Sequence, residues 1–117
     1  MKKTISLTLY KDNQMEKTYH NIKSLYINNT YTFIIDEVKT SLSEEYFIRE
    51  NNEFKFTLDL QKKEALYLLK ENNMLFDIDV INLSLKNKDN NIILEYRLSS
   101  EESDIKIELI IEGEINE

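Results

Sequence analysis

Residues 54–80 read FKFTLDLQKKEALYLLKENNMLFDIDV, and whether the middle of this stretch is strand or helix decides the fold class. On one side Phe54, Phe56, Leu58 and Leu60 alternate with Lys55, Thr57 and Asp59; on the other Phe76, Ile78 and Val80 alternate with Asp77 and Asp79. A period of two places alternate side chains on opposite faces of an extended chain, so both flanks are strands with one apolar and one wet face. The centre, QKKEALYLLKE at 61–71, is made of good helix formers. It lacks a convincing N-cap and has strands within a few residues on either side, so it reads as a strand at 63–70.

The same alternation spreads outward. Ile5, Leu7 and Leu9 alternate with Thr4, Ser6 and Thr8; Ile92, Leu94, Tyr96 and Leu98 with Glu95 and Arg97; Ile105, Ile107, Leu109 and Ile111 with Lys106 and Glu108. Half-buried strands of this kind belong to antiparallel sheets, because parallel sheets bury both faces. Eight or nine strands are expected, at about 3–10, 15–27 with a break, 30–38, 44–50, 53–60, 63–70, 74–86, 91–99 and 103–112. In MLFDIDVINLSL the apolar phase passes from Phe76, Ile78 and Val80 to Ile81, Leu83 and Leu85, the signature of an extra residue in a bulge. Bulges bend long strands, and bent strands close barrels.

Turns must be made with almost no glycine or proline: the chain has one of the first and none of the second. It has instead four Asn-Asn pairs, at 28–29, 51–52, 72–73 and 90–91. Asn tolerates positive φ better than any residue but glycine, so these pairs are predicted to be hairpin turns. A ligand-binding cluster of amides is the lesser reading, since the pairs fall at the ends of the sheet.

Composition narrows the function. The 117 residues make one domain with one core. With 22 acidic and 15 basic residues the net charge is -7, which repels phosphate backbones and anionic membranes, so no nucleic-acid partner is expected. There is no cysteine, hence no disulfide and no thiolate chemistry; a reducing, cytoplasmic setting is expected. No stretch approaches the roughly 20 continuous apolar residues of a membrane span. The start, MKKTISLTLYKDNQ, interrupts its apolar residues with Thr and Ser and reads as a first strand rather than a signal peptide.

Four segments, YTFIIDEV at 31–38, FIRENNEF at 47–54, ALYLLKENNMLFDIDVINLSL at 65–85 and NIILEYRL at 91–98, follow one another in an order that resembles the YwiB-like family of uncharacterised bacterial calycin-type (lipocalin-like) β-barrel domains. The likeness lies in a tyrosine-rich strand ending in acidic residues, a strand with an Arg before a turn, a Tyr and turn leading into a long strand, and a penultimate strand with its Tyr. Where that family has glycine turns and a Thr-Pro approach to the long strand, this chain has Asn51-Asn52 and Lys70-Glu71-Asn72-Asn73. The resemblance implies a fold and lends no activity.

Little in the sequence points to catalysis. His20 is the only histidine, which excludes a two-His metal site or a His-based triad within one chain. Asp59, Asp77, Asp79, Glu95 and Glu108 fall on wet strand faces, and the Asp77/Asp79 pair lacks further cation ligands. There is no Gly-rich phosphate loop and no nucleophile elbow, so no catalytic residue, metal or cofactor is assigned and an enzyme is not expected. The two arginines are more informative. Arg97 shares a face with Glu95 and reads as a surface ion pair. Arg49 alternates with Phe47, while Glu37 shares the face of Tyr31, Phe33 and Ile35. If those aromatic faces look inward, Glu37 and Arg49 are interior charges that could satisfy one another. Strand 44–50 is apolar on both faces, so the opposite phase, with Tyr46 and Ile48 inward, stays open.

The leading expectation is a small antiparallel calycin-like barrel holding a small apolar or amphipathic ligand, with Tyr31, Glu37, Arg49 and Tyr67 as its polar anchor. The alternative is a protein-interaction or scaffold module with a solid barrel, whose open face or edge binds another protein.

Overall fold

Ten antiparallel strands run in an unbroken meander through the computed structural model, which describes residues 1–115. They are β1 (Lys2–Lys11), β2 (Gln14–Ile27), β3 (Thr30–Ile35), β4 (Val38–Leu42), β5 (Tyr46–Glu50), β6 (Phe54–Asp59), β7 (Glu64–Leu69), β8 (Met74–Lys88), β9 (Asn91–Leu98) and β10 (Ile105–Glu114). Each strand pairs with its neighbours in sequence, and β10 returns to β1, closing the sheet into a barrel. No helix occurs among the described residues. The helix-forming stretch at 61–71 is mostly β7, whose Ala65 is fully buried opposite Leu58 and Ile78. Burial of an alternating face outweighs intrinsic propensity there.

The inner faces are those the alternation marks. Ile5, Leu58, Leu94 and Leu109 are fully buried, and Phe33, Phe47 and Phe56 fill the middle of the barrel. The bulge expected in the long strand is present: the β8–β9 register slips between Val80 and Asn82, making Ile81 the extra residue and leaving it outside, 55% exposed.

The strand count is corrected to ten. The expected strand at 30–38 is β3 and the first residue of β4, because Asp36 (φ 51) and Glu37 (φ 66) form a two-residue turn. Such turns demand positive φ at both central residues and usually advertise themselves with Asn or Gly. Glu does not, so the reversal is silent in the sequence. The Asn pairs also divide. Asn28 and Asn29 (φ 52 and 60) build a turn as expected, and Asn73 (φ 54) supplies the left-handed residue of its loop. At 51–52 neither Asn has positive φ; Asn51 acts through its side chain, whose Oδ1 accepts the N–H groups of Glu53 (2.8 Å) and Phe54 (3.0 Å). At 90–91 the positive φ belongs to Asp89.

The meander gives the barrel two ends. Its upper end carries the turns after β1, β3, β5 and β7 and the longer connection from β9 to β10; its lower end carries the remaining turns and the start of β1.

Candidate functional site

Strand β5 settles the question of phase. Phe47 is 2% exposed while Tyr46 is 41% exposed, so Phe47 and Arg49 look inward. The register sets Leu42 opposite Phe47 and Thr40 opposite Arg49. Arg49 therefore sits in the inner wall near the upper end, and it lines two spaces.

The first is a cavity of about 30 Å³ in the barrel, among Leu7, Phe33, Thr40, Phe47 and Arg49. It has room for a water or two and no more. The second is the upper mouth, about 430 Å³, with Arg49 in its floor, Phe54, Phe56, Tyr67 and Tyr96 around its wall, and Ser100 and Glu101 on its rim. That volume lies in the range of roughly 300–1,000 Å³ usual for small-molecule sites. The aromatic wall is mutually braced. Phe54 stacks on Tyr67 with ring centres 5.6 Å apart and planes 8° from parallel, and Tyr96 lies 6.3 Å from Phe56 and 6.2 Å from Phe47. Rings held this way present fixed faces to whatever enters.

The polar groups of the site are less well satisfied than its apolar ones. Among the described residues the Arg49 guanidinium has no hydrogen bond and no ion pair. Thr40 is 3% exposed, and its Oγ1 is buried without a hydrogen-bond partner. Burial pushes the Tyr96 phenol well above its ordinary range; Glu101 adds to the shift and Arg49 opposes it. Tyr96 thus enters the site as a neutral hydroxyl. At the upper end of the barrel, exposed Asp36 accepts hydrogen bonds from the Tyr19 hydroxyl, which reaches up from the inner cavity, and from Lys17 Nζ (3.3 Å). These hold its carboxyl below the usual range, the Tyr19 hydroxyl most strongly, with a smaller pull from Arg49.

Of the four residues expected to share a site, two do. Arg49 and Tyr67 line the upper mouth together. Tyr31 lies at the lower end, where its ring is 4.5 Å from that of Tyr26 and Lys3 Nζ sits 4.4 Å above Tyr26 and 5.8 Å from Tyr31. Burial is also the main cause of the raised Tyr31 phenol pKa. Glu37 is exposed in the β3–β4 turn, so the expected interior Glu37–Arg49 pair does not form. The alternation that placed Glu37 beside Tyr31, Phe33 and Ile35 ends one residue earlier, where the chain reverses. Arg97 is a second correction: no Glu95–Arg97 ion pair occurs among the described residues, and Arg97 Nε is buried without a partner opposite Asn82, next to the bulge.

Sequence reasoning missed Thr40, because β4 was not separated from β3. Phe54, Phe56 and Tyr96 were legible as inward-facing but not as the wall of a mouth.

No family model, curated protein or solved structure matches the chain. The functional reading therefore rests on the geometry of the barrel and its mouth.

Proposed function

We propose that the protein binds a small amphipathic anion in the upper mouth of the barrel, with the anionic group on Arg49 and the apolar part against Phe54, Phe56, Tyr67 and Tyr96. The observation that carries this reading is the guanidinium of Arg49, which makes no hydrogen bond or ion pair among the described residues and opens into a mouth walled by aromatic rings. Arg49 reaches the solvent of the mouth and, among the described residues, no carboxylate bonds to it there, so a bound carboxylate would replace water with charge-assisted bonds, worth about 1.5–3 kcal/mol. The small size of the inner cavity supports a ligand seated in the mouth rather than threaded through the barrel. A closed up-and-down meander is also the architecture of lipocalin-like carriers, which favours the calycin-like resemblance. The lack of cysteine is consistent with a cytoplasmic carrier.

The test compares octanoate with octanol by calorimetric titration, in the wild type and in Arg49→Met. Octanoate should bind more tightly than octanol to the wild type, and Arg49→Met should abolish that preference by weakening octanoate alone. Equal binding of the two, or a preference unchanged in the variant, refutes the anchor. Native mass spectrometry of protein purified from its own host, before and after denaturation, would show the mass of any retained ligand.

A further inference from the structure

The barrel wall is incomplete on one side. Strands β2 and β3 pair at three positions only, Leu25 with Thr32, Tyr26 with Tyr31 and Ile27 with Thr30, after which the two strands part company. The last link is a side chain, the Ser24 hydroxyl donating to the Thr32 carbonyl at 3.3 Å. Above it, β2 bulges away: its register with β1 slips between Ile5 and Leu7, and Asn21 adopts φ 55. At the upper end, among the described residues, the gap is bridged by side chains, through Lys17 and Tyr19 of β2 on Asp36.

The backbone at this seam can be followed from the turn beside it. Asp36 and Glu37 form a two-residue turn, so Ile35 and Val38 are its hydrogen-bonded pair. Alternation along an antiparallel ladder then sends the N–H and C=O of Ile34 the other way, toward β2. No β2 residue pairs with Ile34. The groove here is about 620 Å³ and is lined by consecutive residues of both strands, His20 to Leu25 and Thr32 to Ile34. Consecutive residues of a strand point to opposite faces, so a groove that touches all of them runs between strand edges rather than across a face.

Its chemistry departs from that of the chain as a whole. In a protein of net charge -7, the described residues of the lining include Lys23, Lys39 and His20 beside Lys2, and none of them is acidic. It also exposes apolar side chains: Ile34 is 70% exposed and Leu25 43%. Lysines and a bulge are common guards of a free edge. They do not account for Ile34, an open hydrophobe directly beside an unpaired N–H.

We propose that this seam is a docking site for an extended acidic peptide of a partner protein, which adds as a strand along the free edges. Its main chain bonds to the N–H and C=O of Ile34 and to the β2 edge near Lys23; its carboxylates, on the outer face, meet Lys23 and Lys39 with their methylene stems against Ile34 and Leu25, and the apolar side chains between them point inward toward Ile22 and Phe33. A second copy docked seam to seam would set lysine against lysine. A nucleic-acid strand could accept from the Ile34 N–H but has no regular donor for its C=O. This inference is independent of ligand binding in the mouth.

The experiment uses a short blocked fluorescent peptide of alternating glutamate and valine, a lysine–valine counterpart and a single-stranded oligothymidylate, each titrated by anisotropy into the full chain, with amide shifts followed by NMR. The acidic peptide should bind saturably and shift the amides of Lys23 and Ile34. Ile34→Pro removes the N–H on the seam side while sparing the β3–β4 ladder, and should weaken binding by about tenfold. The surface double variant Lys23→Glu/Lys39→Glu should reverse the preference toward the lysine peptide, and it keeps the test decisive if Ile34→Pro does not fold. Failure of the acidic peptide to bind, equal binding of the lysine peptide, preferential binding of the oligonucleotide, shifts confined to the upper mouth, or a dimer that masks the Ile34 amide would each overturn the proposal.

Discussion

Thr40 and Arg49 face each other across β4 and β5, and neither polar group has a hydrogen-bond partner among the described residues. The two cases differ physically. Arg49 reaches the solvent of the upper mouth, whereas the Thr40 hydroxyl is shut into the barrel wall. An unmet buried hydroxyl costs roughly 1–3 kcal/mol, and replacing it with a methyl of the same shape relieves that cost. Thr40→Val is therefore expected to raise the stability to urea by about 1 kcal/mol, read as a higher midpoint at unchanged slope. A fall in the midpoint would mean that the hydroxyl is satisfied and useful.

Glu37 makes a contrasting prediction. Its position at φ 66 in a two-residue turn is one that L-residues other than Asn and Asp enter reluctantly. Glu37→Gly should stabilise by about 1 kcal/mol. The same placement removes any interior pairing with Arg49. A double-mutant cycle of Glu37→Gln with Arg49→Met should be additive within about 0.5 kcal/mol. A larger coupling would put the two charges back in contact.

That turn also shows where the fold was legible in the sequence and where it was not. Alternation identified the inner faces of β1, β6, β9 and β10, and even the bulge at Ile81, because burial imposes its period on the side chains of every strand it touches. It could not count β4, because the reversal at Asp36-Glu37 interrupts the pattern for only two residues, and Asp36 is followed by Glu rather than by the Asn or Gly that completes the usual hairpin signal. The site was half legible for the same reason. Arg49 and Tyr67 were found through their apolar neighbours, but which end of a barrel a residue occupies depends on strand lengths and turn positions, so Tyr31 was grouped with residues at the opposite mouth.

The Asn pairs separate two turn mechanisms that composition cannot distinguish. At 51–52 the stabilising atom is the Asn51 Oδ1, which holds two backbone N–H groups. Asn51→Ala should cost about 1 kcal/mol, and Asn51→Asp should retain most of the stability. Asn52 has no positive φ, so Asn52→Gly should be destabilising by several tenths of a kcal/mol through the unfolded chain. Asn73, at φ 54, should behave oppositely: Asn73→Gly neutral or slightly stabilising, Asn73→Val destabilising. Thermal melts of the five variants decide between the mechanisms position by position.

Asp36 gives the acid-side prediction. Its carboxyl is held below the ordinary range chiefly by the Tyr19 hydroxyl, then by the hydrogen bond and charge of Lys17, with Arg49 contributing least. A carboxylate depressed in the folded state stabilises the fold at pH values above its unfolded pKa, and that contribution disappears as the pH falls through the folded pKa. The side chain is exposed, so the effect is local and best read on the residue itself. In a carbon-detected NMR titration Asp36 should titrate below the ordinary aspartate range. Because the largest cause is a hydrogen bond rather than a distant charge, Tyr19→Phe should move the Asp36 midpoint upward by more than raising the salt to about 1 M does, since salt screens only the Coulombic part. A midpoint that follows salt and ignores Tyr19→Phe would assign the shift to Lys17 and Arg49 instead. It would also remove Tyr19 as the side chain that holds the upper end of the β2–β3 seam closed.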